Sequence, residues 1–394
     1  MTIVVTGAGS GGHITPILAV AAELKRLDSQ VKIVFIGQKG GKLSDIVESS
    51  PYIDECYYVS AGKLRRYSGK GLAQLLDLRT QSLNLRDLTR TVGGLSQSWS
   101  LLGKIKPDLV FTRGGYISVP VAIAAWFRRI KYITHDSDST PSLANRIIAP
   151  MASMHAVALD PSIYPYPQSK TVKVGVPISA NYSLVREKDM RYFKTKLGLA
   201  SYSKVICITG GGNGADKLNQ IVLANVPFLL KKYPDLAIIH IAGRAFSENL
   251  NSRYDAEIAT VDRKRVIVKG FVTNLYLYSG ASDVIIARGG ATNLAEFAAQ
   301  GKACIIIPST QLIWNVRNAR ALAKNHAVIE LSEDQAEQEL RLAHTISGLL
   351  DNNKSREELK KKIIQYYVPD SASKIAELII DMSGHGYKET KDRK

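Results

Sequence analysis

The feature that most restricts what this chain can fold into is a plan written twice: a short β-branched run, a glycine-rich turn, then a helix-patterned segment. It appears first as Ile3–Thr6 followed by Gly7, Gly9, Gly11 and Gly12, and again as Val205–Thr209 followed by Gly210-Gly211-Gly212-Asn213-Gly214. A strand that feeds a helix through such a turn opens a parallel, helix-covered sheet. The rhythm continues after each opening. Lys32–Ile36, Leu109–Thr112 and Lys131–Thr134 read as strands in the first half, with helices over Ile17–Leu27 and Pro120–Phe127. In the second half the strands are Ala237–Ala242, Val266–Lys269, Val284–Ile286 and Ala303–Ile307, with helices over Lys217–Lys231, Asn293–Gln300 and Asn315–Lys324.

A length of 394 residues is too great for one open α/β domain and comfortable for two. The fold class expected is therefore α/β, two Rossmann-like doubly wound domains. The boundaries expected are 1–178, 179–368, a final helix over 369–382 packing back on the N-terminal domain, and a mobile charged tail over 383–394. The hinge is expected near Pro177–Ser183. Ligands of open α/β sheets lie beyond the carboxyl ends of the strands, so a duplicated plan points to a cleft between domains.

Charge and cysteine usage narrow the partners. The net charge of +17 calls for an acidic partner: nucleic acid, an anionic bilayer or a phosphate-bearing small molecule. Nucleic acid is disfavoured because the basic residues are scattered and no stacking-aromatic motif accompanies them. Cys56, Cys207 and Cys304 are odd in number and far apart, which argues against a disulfide framework or a metal site and for a reducing cytosol. Met1 leads almost at once into Ile3, Val4 and Val5, so no signal peptide is expected. The apolar stretch from Val119 to Phe127, broken by Pro120, falls short of the roughly 20 residues a membrane span requires. Leucines 72, 75, 76, 83, 85 and 88 interleave with Lys70, Arg79, Arg86 and Arg90, just after Lys63, Arg65 and Arg66. Two readings fit: an amphipathic surface settling on an anionic leaflet, or an ordinary helix burying its leucines.

The turns carry the chemistry. Glycines let backbone approach a ligand, and a helix N-terminus favours negative charge, so the first turn is expected to receive an anion. A dinucleotide is disfavoured there, because His13 occupies the helix start and Gly37-Gln38-Lys39 offers no acid for a ribose. No cofactor is expected. The second turn, Gly210–Gly214, reads as a diphosphate cradle or, more plainly, as a tight turn packed on its own helix. In Arg288-Gly289-Gly290-Ala291-Thr292-Asn293-Leu294-Ala295-Glu296 a strand ends, amides are exposed and a carboxylate follows among apolar neighbours. Glu296 can accept hydrogen bonds from both hydroxyls of a ribose; a solvated helix-face glutamate is the plainer alternative. His13 reads as a general base kept neutral at a helix N-terminus, or as a histidine that caps the turn, with Asp136 and His135 as further candidates for the base.

Taken together, Gly11-Gly12-His13-Ile14-Thr15-Pro16, Gly114-Gly115-Tyr116 with Ser118, Gly210–Gly214 with Leu218-Asn219-Gln220, and Arg288–Glu296 resemble the MurG family of transferases. The resemblance runs to about residue 330. It implies the GT-B fold and inverting transfer of N-acetylglucosamine from UDP-N-acetylglucosamine to undecaprenyl-pyrophosphoryl-N-acetylmuramyl-pentapeptide, lipid I, to make lipid II, without metal at the chemistry. It implies a peripheral enzyme on the cytoplasmic face of the cell membrane, against its anionic inner leaflet. Carried over by position, Gly211, Gly212, Asn213 and Gly214 face the UDP phosphates, Phe271 and Val272 flank the uracil, and Glu296 holds the ribose. Arg288, Gly290, Ala291 and Thr292 cover the diphosphate, Arg244 adds charge, and Asn315 lies near the donor sugar. The acceptor enters over Gly11, Gly12, His13, Gly114, Gly115, Tyr116 and Asn145, with His13 and Asp136 as catalytic candidates. The chain departs from the family pattern at Trp314 and Asn315, where a glutamine pair is usual, at Gly212 for a serine, at Ser179 for an arginine, and in His135-Asp136-Ser137-Asp138. Those departures leave open another lipid glycosyltransferase, a nucleotide-sugar 2-epimerase, or a noncatalytic nucleotide-sugar-binding subunit.

Overall fold

A computed structural model describes residues 1–7, 11–41, 43–63, 77–212 and 214–385. The chain packs as two compact units, Met1–Ser179 together with the segment from Pro369, and Ala180–Val368. In the first, β1 (Thr2–Thr6), α1 (Gly11–Leu27), β2 (Lys32–Gln38), α2 (Ser44–Glu48), β3 (Glu55–Val59), α3 (Leu78–Ile105), β4 (Leu109–Thr112), α4 (Ser118–Phe127), β5 (Lys131–Asp136), α5 (Leu143–Ile148), β6 (Met154–Val157) and β7 (Thr171–Lys173) succeed one another. The second holds α6 (Glu187–Lys196), β8 (Lys204–Thr209), α7 (Asp216–Lys232), β9 (Leu236–Ile241), α8 (Ser247–Glu257), α9 (Thr260–Arg263), β10 (Val266–Lys269), α10 (Leu275–Gly280), β11 (Val284–Ala287), α11 (Ala291–Gln300), β12 (Ala303–Ile306), α12 (Ile313–Lys324), β13 (Ile329–Glu330), α13 (Glu333–Glu337), α14 (Arg341–Asp351) and α15 (Asn353–Ile363). Helix α16 (Ser371–Ser383) returns to the first unit.

Both sheets are parallel throughout, in the orders β3-β2-β1-β4-β5-β6-β7 and β10-β9-β8-β11-β12-β13. A parallel sheet is covered on both faces, which explains why its central strands are apolar without interruption. Along β1 and β2 the side chains alternate: Ile3, Val5, Ile33 and Phe35 pack with Ile17, Val20 and Leu24 of α1 and with Ile375, Ala376 and Ile379 of α16. Val4, Val34 and Ile36 pack on the other face with Leu102 of α3 and Val121 of α4. Each such fully buried aliphatic side chain contributes about 1.5–3 kcal/mol. Helix α16 is therefore part of the core of the N-terminal sheet, and Lys131 Nζ ties its end by donating to Met382 O at 3.2 Å.

The strand order reverses at one place in each sheet, between β1 and β4 and between β8 and β11. Diverging connections at such a switch point leave a crevice at the carboxyl ends of the two strands. The registers Thr6↔Thr112 and Thr209↔Ala287 bring the glycine turn after β4 beside the end of β1, and the turns after β8 and β11 side by side.

Helix α3 departs from the pattern that leucine spacing suggests. Most of its buried positions hold small or polar residues, Thr80, Asp87, Gly94 and Ser98, beside the buried Leu102, while Leu85 and Leu88 are 65% and 60% exposed. The close approach explains the choice: a Cβ at Gly94 would stand 1.8 Å from Ser60 O. The reading in which this helix buries its leucines is thereby excluded for those two positions. The polar stretch after Asn181 contains α6.

Candidate functional site

In the second unit the turn after β8 is shaped by backbone that only glycine adopts freely. Gly211 and Gly214 have φ of 81° and 75°, and a Cβ at Gly214 would lie 2.3 Å from Ala242 O. Gly211 N–H is drawn back onto Thr209 Oγ1 at 3.2 Å. A fully buried relay fixes the carbonyl that crowds Gly214. Asn219 Nδ2 donates to Ala242 O at 3.1 Å, so Asn219 Oδ1 must accept from His240 Nε2–H, also at 3.1 Å. His240 Nδ1 is then left to accept from Tyr254 OH at 2.8 Å. Burial pushes the His240 pKa down to about 3, which keeps the ring neutral. Asn213 lies outside the described residues.

The adjoining turn after β11 leads into α11, whose N-cap residue, Gly290, supplies no side-chain cap. A Cβ at Gly289 would lie 2.2 Å from Asn315 O, and Asn318 Nδ2 donates to Gly289 O at 2.9 Å, so the start of α12 packs directly on this turn. Asn315 is buried beside it, whereas Leu312, Ile313 and Trp314 are exposed. A Cβ at Gly211 would be 3.7 Å from Asn293 Oδ1, which makes the two turns neighbours. Glu296, 5% exposed, accepts from Asn293 Nδ2 at 2.8 Å and from the Tyr182 hydroxyl. Burial raises its pKa to about 7 against the lowering effect of Asn293 and Tyr182. Tyr182, a partner no sequence motif pointed to, is itself buried and packs edge-on against Tyr276 at 6.1 Å.

The remaining residues named for the donor divide into two groups. Gly212, Gly290 and Ala291 are partly exposed on the turns, and Thr292 is buried. Arg244 is exposed and stands 5.2 Å over the ring of half-buried Phe271, while Val272 packs against the core beneath β8 and β9. Arg288 behaves differently from the resemblance: its Nη1 donates to Ile307 O at 2.9 Å and to Glu333 Oε1 at 2.7 Å. Glu333 also accepts from Thr310 Oγ1 at 3.0 Å. The charge of Arg288 is thus paired within the protein.

In the first unit, Gly114 and Gly115 after β4 have φ of 83° and 84°. Gly114 N–H donates to Thr112 Oγ1 at 3.1 Å, and Ser118 Oγ donates to Gly114 O at 2.8 Å. Tyr116 OH donates to Gln38 Oε1. His13 stands at the start of α1, beyond exposed Gly12 and after Gly11, half-buried, with Nδ1 3.2 Å from Arg113 O. A carbonyl only accepts, so Nδ1 carries the proton and Nε2 keeps a lone pair. The His13 pKa is pushed down to about 4, by burial first and the Arg113 charge second, against a weaker raising effect of the bond to Arg113 O. Burial and the Arg113 charge therefore both favour the neutral ring.

Asp136 and His135 are both buried. Asp136 accepts from Tyr166 OH at 2.7 Å, Asn145 Nδ2 at 2.8 Å and Ser142 N at 3.4 Å. Burial raises its pKa, yet three donors hold its oxygens, which suits it to fixing Asn145 rather than taking a proton. His135 donates Nε2–H to Gly175 O at 2.9 Å, and its Nδ1 has no hydrogen-bond partner. The Asn145 amide closes on Gly114, where a Cβ would lie 3.0 Å from Oδ1.

An apolar stripe lies on the outer side of α3 and continues onto the end of α4. Leu85, Leu88, Val92 and Trp99 are all exposed at helical spacing. Trp99 meets Phe127 edge-on at 6.4 Å, Phe127 meets Trp126 at 4.8 Å, and the Arg128 guanidinium lies 4.2 Å over the Trp99 ring. Arg86 and Arg90 border the stripe, and Lys63 is exposed. Of the residues named from sequence, leucines 72, 75 and 76 with Lys70, Arg65 and Arg66 lie outside the described residues. Among the described residues no helix is long and apolar enough to cross a membrane.

Comparison with known proteins adds to this geometry. Residues 3–157 match the glycosyltransferase family 28 N-terminal domain, and residues 205–377 its C-terminal domain. The chain is 30% identical over 387 residues, 98% of its own length and 100% of the relative's, to the UDP-N-acetylglucosamine–N-acetylmuramyl-(pentapeptide) pyrophosphoryl-undecaprenol N-acetylglucosamine transferase of Bacillus licheniformis. Its fold is similar to that of the crystal structure of Acinetobacter baumannii MurG, with TM-score 0.67, 21% identity, and coverage of 96% of this chain and 99% of that one. A putative UDP-N-acetylglucosamine 2-epimerase from Listeria monocytogenes shares the fold at TM-score 0.64 and 11% identity, covering 98% of this chain and 97% of its own.

Proposed function

The chain belongs to the MurG family within glycosyltransferase family 28, and from that premise we propose that it transfers N-acetylglucosamine from UDP-N-acetylglucosamine to lipid I, giving lipid II and UDP for peptidoglycan synthesis. The observation that carries this reading is the arrangement at the β8/β11 switch point. Two glycine-rich turns are neighbours there, with the buried carboxylate of Glu296 on the helix that follows the second. Gly211 N–H and Gly214 N–H are bonded within the turn, to Thr209 Oγ1 and Gly211 O, so it is the partly exposed Gly212 and the N-terminal end of α11 that suit a diphosphate, through an N–H donor and the positive end of a helix. An ionised carboxylate has about four lone-pair sites, and Asn293 and Tyr182 engage two of those on Glu296. The other two suit the vicinal hydroxyls of a ribose. Phe271, with Arg244 above it, suits the uracil side, and Asn315 the donor sugar.

In the first unit the same logic assigns the acceptor to Gly11, Gly12, Gly114, Gly115, Tyr116 and Asn145. The acceptor hydroxyl oxygen attacks the anomeric carbon from the face opposite the diphosphate. A carbon–oxygen bond forms as the bond from that carbon to the phosphate oxygen breaks, the electron pair leaves with UDP, and the configuration inverts. The hydroxyl proton passes to His13 Nε2, the nitrogen left bare by the Nδ1 bond to Arg113 O.

The lipid end of the acceptor calls for a membrane surface. Leu85, Leu88, Val92, Trp99, Trp126 and Phe127, rimmed by Arg86, Arg90 and Arg128, combine apolar side chains and aromatic rings with cations, which suits the headgroup region of an anionic inner leaflet at the cytoplasmic face.

Release of UDP from UDP-N-acetylglucosamine tests the function when it is followed with and without lipid I in mixed micelles. The reading requires release to depend on lipid I. Release that ignores lipid I, or conversion of the donor to its C2 epimer, refutes it.

A further inference from the structure

The strands at the two switch points end in the same three residues, Arg113-Gly114-Gly115 after β4 and Arg288-Gly289-Gly290 after β11, and both arginines are buried, at 6% and 8% exposure. Their surroundings differ. Arg288 is paired to Glu333 at 2.7 Å. Arg113 bonds a neutral hydroxyl, that of Ser137, while the Nε of both arginines has no hydrogen-bond partner. Asp136 and Asp138 act on Arg113 through space, and Asp136 is already held by Tyr166, Asn145 and Ser142. One sheet therefore pairs its buried guanidinium directly with an acid, whereas in the other the guanidinium bonds Ser137, with Asp136 and Asp138 acting on it through space.

We propose that Arg113 is a positioning residue for proton transfer at His13: its carbonyl decides which ring nitrogen carries the proton, and its guanidinium opposes a second one, so that Nε2 offers a lone pair to the acceptor hydroxyl. This rests on the reading of His13 as the base. Backbone and side chain of one residue act on one ring. The backbone half is rigid, because Arg113 N–H donates to Thr6 O at 2.9 Å in register with β1 and fixes the carbonyl that His13 meets at 3.2 Å. The electrostatic half follows from burial, since a charge in a low-dielectric surrounding acts on its neighbours more strongly than one in water. The groups that bear on the pair come from the turn after β4, from β5 and the residues just after it, and from the segment between β6 and β7: Arg113 lowers His13, His135 is lowered by Arg113 and by His13, and Asp136, Asp138 and Tyr164 support the charge of Arg113. No acid is among the groups that shift His13. A second proton there would face Arg113 with no counter-charge of its own.

The test is the titration of His13 by NMR in the full-length protein, read beside the pH dependence of kcat/KM for lipid I. In R113Q, or in R113M if the first does not fold, the His13 pKa is expected to rise by about one unit from about 4, a tenfold change in proton affinity. It stays under the ordinary histidine value because burial is the larger cause. The acid limb of kcat/KM moves upward by the same amount, while R113K keeps both near the parent values and the dissociation constant for UDP is unchanged throughout. A His13 titration that does not move in either uncharged variant overturns the proposal, as does an R113K protein that shifts as far as R113Q. A titration that moves while the acid limb stays put removes His13 as the base and leaves its coupling to Arg113 standing.

Discussion

Replacing Glu296 by glutamine keeps the size of the side chain and removes both its charge and one acceptor oxygen. In the proposed complex two ribose hydroxyls donate to the carboxylate, and hydrogen bonds to a charged group contribute about 1.5–3 kcal/mol each against roughly 0.5–1.5 kcal/mol for neutral ones. Because Asn293 at 2.8 Å and Tyr182 remain to hold the side chain, the change falls on the ligand bonds. The expected loss is about 2–3 kcal/mol, or roughly 30- to 150-fold in the Kd for UDP at pH 8. Calorimetric titration gives that number, and a melting curve without ligand checks the fold. The pH dependence supplies a second arm. With a folded-state pKa near 7, Glu296 is ionised and competent above that pH and protonated below it, so affinity is retained as pH rises and falls as pH drops. Between pH 8 and pH 6 the parent protein should lose about tenfold in affinity beyond whatever E296Q loses, since ionisation of UDP itself affects both. An E296Q protein that binds UDP within about threefold of the parent, or that shares its pH dependence, would refute the assignment of the ribose to this carboxylate.

Three other outcomes are expected. H13A should lower kcat by about a hundredfold or more while leaving the Kd for UDP unchanged, since the ring is a proton acceptor in the other unit; steady-state kinetics with calorimetry reads both. G214A should cost at least about 1–3 kcal/mol in stability and weaken UDP together, because a methyl at φ 75° would sit 2.3 Å from Ala242 O; thermal unfolding with and without UDP separates the two. The double change W126S/F127S should reduce binding to anionic vesicles at all salt concentrations, whereas R128E should reduce it chiefly at low salt; flotation with liposomes measures both.

The parts of this molecule legible in its sequence are those where one physical demand acts alone. Central strands such as Val284–Ala287 and Ala303–Ile306 are buried on both faces and read as unbroken apolar runs. Edge strands answer to two demands at once: β3, Glu-Cys-Tyr-Tyr-Val, is mostly half-buried, and β7 is three residues long, so neither shows a period. The first half of helix α3 inverts the usual rule, with Leu85 and Leu88 exposed, and Gly94 is buried because the backbone must approach Ser60 there. At the sites, the glycines declared the turns, but the partners of the functional groups come from remote segments. Tyr182 reaches Glu296 from 114 residues away (296 − 182), and Arg113 reaches His13 across 100. Arg288 looked available because its ion-pair partner, Glu333, lies 45 residues downstream with nothing in the intervening sequence to announce it.

The configuration at the new glycosidic bond tests single-step displacement most directly. With donor labelled at the anomeric carbon and lipid I as acceptor, the NMR coupling of the labelled centre in the isolated lipid product is predicted to report a β-linked disaccharide formed from the α-linked donor. An α-linked product, or label found only in free sugar or in an epimerised nucleotide with none in lipid, would contradict the account.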